Sequence, residues 1–155
     1  YKMKLLISAI ILSLTLTNCG FKPIYSSKNS NFKIIEILNK NENKNSFFLE
    51  KTLMSLSNRE AIRKIKIEID FEQKITTILK DSKGDQSKKN LLIKVDLVVK
   101  SEEDKVLTTK TFVEEFSYDV QSDKFKMSQY EGNITNNLNG KISNDIILLL
   151  GTLEW

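Results

Sequence analysis

Between Arg63 and Glu72, apolar and charged residues alternate without a break, with Ile65, Ile67, Ile69 and Phe71 interleaved with Lys64, Lys66, Glu68, Asp70 and Glu72. Successive side chains of a strand point to opposite faces, so this pattern predicts a strand with one buried and one wet face. The apolar-rich stretch from Ile75 to Leu79 extends or follows it, and Lys80 to Asp85 is a turn signal. Upstream, Phe32 to Leu38 is a short apolar-rich segment that predicts a first strand, and Asn39 to Asn45 is a polar loop. Ser46 can cap a helix running to about Leu56, with Leu49, Leu53 and Leu56 on one stripe and Phe48 beside them. Downstream, Asn90 to Lys100 and Lys105 to Tyr118 predict two strands joined through Ser101 to Asp104 as an antiparallel hairpin. Leu92, Val98, Leu107 and Val113 fall on alternate faces of that hairpin and could serve a second core or a partner surface.

The period then changes. Tyr130, Ile134, Leu138, Ile142, Ile146 and Leu149 recur at steps of three or four, the stripe of a long helix beginning between Ser122 and Ser128. Gly132 and Gly140 inside it each cost about 1 kcal/mol relative to alanine, so packing must hold this helix. The predicted order is strand, helix, three strands, helix. One apolar face per element makes a two-layer α+β sandwich the economical solution, with a mixed or antiparallel sheet of about four strands and both helices on one face. The other face of the sheet is left free.

Composition narrows the chemistry. The chain contains no histidine, which removes the usual general base, the usual zinc ligand and every histidine-dependent triad. There is one cysteine, and no glycine-rich phosphate loop. Glu102, Glu103 and Asp104 are close in sequence but sit among turn-like residues, where a solvated turn is the simpler reading. An enzyme is not expected, and neither is a metal. Basic residues are interleaved with acidic ones and form no block, so nucleic-acid binding gets no support.

The cysteine is Cys19, placed where an apolar run from Leu5 to Leu16 gives way to polar sequence, with Lys2 and Lys4 ahead of the run. Charged, apolar and polar stretches in this order make a secretory signal peptide. The run spans roughly 18 Å as a helix, short of the ~30 Å hydrocarbon core that a transmembrane helix crosses. Met3 reads as the natural start. Cys19 could be a buried thiol, a reactive thiol or a lipid attachment point. No second cysteine exists to pair with it, and only Lys22 nearby could lower its pKa. Leu16-Thr17-Asn18-Cys19 resembles the bacterial lipobox, in which cleavage before the cysteine leaves it as a lipidated N-terminus. The expected organisation is a cleaved signal peptide at 1–18, a lipidated N-terminus and tether at 19–31, and a single α+β domain at 32–155.

The stretch from Cys19 to Tyr25, CGFKPIY, resembles the opening of the LPS-assembly lipoprotein (LptE) family in its alphaproteobacterial form. The order of elements, with FSYDVQSDKFKMSQYE leading into the final helix, is similar to that family too. The resemblance implies a non-enzymatic lipoprotein of the outer membrane, lipid-anchored on its periplasmic side, that plugs the β-barrel lipopolysaccharide translocon. It would assist barrel assembly and lipopolysaccharide insertion. Its partners would be that barrel, lipopolysaccharide itself and the membrane. No cofactor is implied beyond the covalent diacylglycerol and N-acyl chain on Cys19. For lipopolysaccharide contact, Lys64 and Lys66 on the wet face of the second strand, and Lys88 and Lys89 at the start of the third, are the nominated residues, because lipid A phosphates need cations. Ordinary solvated surface is the simpler reading of all four. From a different class, a free-standing periplasmic lipoprotein that binds an amphiphile or inhibits a cell-wall enzyme is the alternative.

Overall fold

A computed structural model describes residues 30–153. The expected signal peptide, Cys19 and most of the expected tether lie outside these residues. Six elements follow in the expected order: β1 (Phe32–Asn39), α1 (Lys44–Leu56), β2 (Arg63–Lys80), β3 (Gln86–Ser101), β4 (Val106–Asp119) and α2 (Lys124–Thr152). The sheet runs β1-β2-β3-β4, with β1 parallel to β2 and the other neighbours antiparallel. The fold is therefore the α+β sandwich that the pattern predicts, with a mixed four-stranded sheet.

Alternation decides which face is covered. Ile65, Ile67, Ile69 and Phe71 of β2 and Leu91, Ile93, Val95, Leu97 and Val99 of β3 are buried. They join one core cluster with Leu49 and Leu53 of α1 and Ile134, Leu138, Ile142 and Ile146 of α2, so both helices lie on the same face. The intervening residues of β2 and β3 face the open side. Leu92 and Val98 are half-buried there and Val113 is half-exposed, while Leu107, beside a register shift, packs against the core.

Several boundaries differ from expectation. The N-cap of α1 is Asn43, not Ser46: the Asn43 side chain accepts from the backbone N–H of Asn45 and Ser46, and the Asn43 N–H donates to Ser46 Oγ at 2.8 Å. Ser46 is thus the reciprocal half of a capping box. Phe48, expected near the core, is about half-exposed. Ile75 to Leu79 continue β2 as one strand to Lys80, and β3 begins at Gln86 because this extension needs a partner.

Both hairpin turns use one device. At the β2–β3 turn, Asp81 Oδ1 accepts from the N–H groups of Lys83 and Asp85, and Gly84 takes φ +86°. At the β3–β4 turn, Ser101 Oγ accepts from Glu103 and Lys105, and Asp104 takes φ 66°. A short polar side chain replaces missing backbone partners, and the left-handed residue closes the loop.

Candidate functional site

The open face of the sheet carries rows of like charge that the strand register sets side by side. Lys66 lies opposite Lys100, and Asp70 opposite Asp96. Such pairs repel when directly opposed. Here neighbours of opposite sign relieve them: Lys100 binds Glu68, Lys40 lies 3.8 Å from Glu68, and Lys94 reaches Asp96 at 2.7 Å. Thr111 Oγ1 also donates to Asp96. At the end of the face, Lys66 reaches Asp104 and Lys64 reaches Glu102, each at 2.8 Å. The left-handed conformation of Asp104 thus belongs to a residue whose carboxylate also fixes a strand lysine.

Protonation follows these partners. Hydrogen bonding from Lys100 holds the Glu68 carboxyl below its usual range, and Lys94 together with Thr111 does so for Asp96. Lys66 and Asp104 move apart, the ammonium upward and the carboxyl downward, chiefly through their shared hydrogen bond. On the helix side, Tyr118 is buried, which pushes its phenol upward, and its hydroxyl donates to Glu131 Oε1 at 2.7 Å. Its ring meets Tyr130 edge-on at 6.0 Å, and Lys89 reaches the same Glu131 oxygen at 3.4 Å.

The four nominated lysines do not form one cluster. Lys64 and Lys66 lie at the β3–β4 turn, whereas Lys88 and Lys89 are near the other end of the sheet, about 40 Å along β3 from the Lys66 partner Lys100. Lys89 faces the helices, while Lys88 faces the open side. Three of the four are held by carboxylates, and Lys88 has none within ion-pair distance among the described residues. Sequence separation hid these pairings, since the partners lie 38 or 42 positions away. The register of β2 against β3 is the signal that would have revealed two of them, because it brings the Ser101 end of the hairpin beside Lys64 and Lys66.

Among the described residues, no group of His, Cys, Asp and Glu is arranged to hold a metal, and no helix is long and apolar enough to cross a membrane.

No protein-family model matches the chain, and no curated protein matches it. Solved structures do match its fold. Rare lipoprotein B from Shewanella oneidensis shares 10% identity over 76% of this chain and 91% of that one, with a TM-score of 0.55. Lipoprotein B from Nitrosomonas europaea shares 8% identity over 79% and 86%, at 0.59. A minor lipoprotein from Acinetobacter baumannii shares 10% identity over 83% and 92%, also at 0.59. At such identities the likeness is one of fold, and it covers nearly the whole of each of these lipoproteins.

Proposed function

We propose that this chain is an outer-membrane lipoprotein, held by acyl chains on Cys19, that serves as the plug and assembly partner of a β-barrel lipopolysaccharide translocon. The observation that carries this reading is a coincidence of two independent features. A chain whose sequence places a lone cysteine behind an apolar leader also has the fold of solved lipoproteins, one of them named rare lipoprotein B. The CGFKPIY opening points the same way. The open face of the sheet suits a wet lumen: it is charged, and Lys66, Glu68, Lys94, Asp96 and Lys100 on it are paired, so these can lie near a polar barrel wall without being buried as lone ions. Two or three acyl chains, at about 0.8 kcal/mol per buried CH₂, would make the anchor nearly permanent.

The test is a mild-detergent pull-down of the C-terminally tagged chain from outer membranes, with stoichiometric partners identified by mass spectrometry. The proposal expects a large β-barrel at one to one. Recovery of the lipoprotein alone would overturn the plug and favour a free-standing amphiphile-binding lipoprotein.

A further inference from the structure

A groove of about 670 Å³ runs between β1 and the C-terminal half of α1, continuing through Glu50 towards a smaller one at the start of the helix. Lys33 and Ile34 of β1, Lys51 and Met54 of α1, and Arg59 just beyond the helix line it. Its cations differ from the seven ion-paired lysines among the described residues. Lys40, Lys64, Lys66, Lys89, Lys94, Lys100 and Lys141 all sit within 4.0 Å of a carboxylate. Lys33, Lys51 and Arg59 have no such partner among the described residues, and Glu50 is the one acidic residue in the lining. Three unpaired cations converging from three segments form an anion-attracting surface.

Two features indicate which anion. The floor is apolar: Ile34 is buried beneath the groove, Met54 is 47% exposed, and Phe47 stands beside them with Lys51 Nζ 4.6 Å from its ring centre. Long cationic stems over apolar side chains suit the boundary between headgroup and acyl chain, where a free phosphate would gain nothing from Met54 or Phe47. The second feature is where the chain leaves the fold. Ser30 Oγ donates to the Leu56 carbonyl at 2.8 Å, and Asn58 Nδ2 donates to the Ser30 carbonyl at 3.0 Å, so the connection towards Cys19 starts beside Arg59. About eleven residue steps separate Ser30 from Cys19, a reach of at most roughly 40 Å.

We infer that the α1–β1 groove is a membrane-contact site that takes the phosphate headgroups of anionic phospholipids in the leaflet holding the anchor. This inference rests on the reading of Cys19 as that anchor. The groove orients the domain, pressing the anchored end against the bilayer. Each cation near an anionic surface contributes about fivefold to the docked-to-free ratio, and the three together about a hundredfold.

The test uses the full-length chain carrying S55C, labelled with an environment-sensitive fluorophore and reconstituted into vesicles of phosphatidylcholine alone or mixed equally with phosphatidylglycerol. Spin-labelled lipid reports contact by quenching, and flotation on phosphatidylcholine reads the anchor separately. Quenching is expected on mixed vesicles and not on phosphatidylcholine. It should fall to the phosphatidylcholine level in K33E/K51E/R59E and in the gentler K33Q/K51Q/R59Q, with circular dichroism unchanged. Equal quenching on both vesicles, quenching retained in the neutralised variant, or quenching only when lipopolysaccharide replaces phosphatidylglycerol overturns the inference. A chain that floats on phosphatidylcholine without quenching on mixed vesicles overturns the groove and keeps the anchor. One that floats and quenches only on mixed vesicles overturns the anchor and keeps the groove.

Discussion

Asn139 should be worth replacing. It is 1% exposed, and neither its amide oxygen nor its amide nitrogen has a hydrogen-bond partner in the structure. It belongs to a second buried row on α2, Thr135, Asn139 and Ser143, beside the apolar row of Ile134, Leu138 and Ile142. Thr135 accepts from Gln73 at 3.4 Å and Ser143 donates to the Asn139 carbonyl at 2.7 Å, but the amide itself is left out. An unsatisfied buried amide costs about 1–3 kcal/mol. Leucine has nearly the same volume and shape, places two methyl groups where the amide atoms were, and favours a helix by a few tenths of a kcal/mol. N139L should therefore stabilise the domain by about 2 kcal/mol. For about 120 folded residues the unfolding entropy is roughly 0.25 kcal/mol per degree, so the melting temperature should rise by about 8 °C. Urea denaturation followed by circular dichroism measures it. N137L, at an exposed position of the same helix, isolates the propensity share. A loss of stability in N139L, or a gain no larger than in N137L, would refute the reasoning and mean that the amide is satisfied, as by a trapped water.

A Cβ at Gly132 or Gly140 meets no atom within 4 Å, so G132A and G140A should each stabilise α2 by about 1 kcal/mol, roughly additively, in the same denaturation assay. N43A removes the side-chain half of the α1 capping box, the acceptor for the Asn45 and Ser46 N–H groups, and should cost about 1 kcal/mol, whereas N43D should retain most of it. Because Glu68, Asp96 and Asp104 titrate lower in the fold than when unfolded, their contribution is present above the ordinary carboxylate range and lost as pH falls through the folded values. The melting temperature should thus be flat from neutral pH to about pH 5 and fall below about pH 4, less steeply in high salt; a rise on acidification would contradict this. I78D/L79D alters two exposed apolar side chains and should leave folding intact but abolish recovery of the barrel in the pull-down, while unchanged recovery would remove this end from the interface.

How far the sequence could be read depended on whether a feature was local and periodic. The alternation from Ile65 to Phe71 and the helical stripe from Tyr130 to Leu149 each repeat a burial decision many times, and the structure buries or partly buries every apolar position named in them. Both turns were legible because glycine, serine and aspartate act within five residues. What failed was not periodic. The capping role passed from Ser46 to Asn43 because both can cap, and the geometry of the loop from Asn39 chooses between them. The buried row of Thr135, Asn139 and Ser143 is polar, so hydropathy assigns it to solvent. The lysines show the same limit in another way. Three of the four nominated for lipopolysaccharide contact are ion-paired, while Lys33, Lys51 and Arg59, which are not, come from separate segments and meet only in three dimensions.

The two ends of the molecule are built for different surroundings. The end from which the chain leaves towards Cys19 gathers Ser30, the β3–β4 turn, the end of α1 and the groove cations, and its exposed apolar side chains, Ile62, Met54 and Val106, lie among these charges and turns. About 55 Å away along β2, the far end of the β2–β3 hairpin exposes Ile75, Ile78 and Leu79, and Phe125 at the start of α2 is 72% exposed. Neither helix covers these residues, and in free solution a long hairpin with bare isoleucines invites edge-to-edge association. A free-standing lipoprotein would carry that liability permanently. A plug would not, because the barrel that receives its far end would also cover it. The exposed hairpin therefore weighs for the translocon reading and against its alternative, independently of the anchor and of the groove beside it.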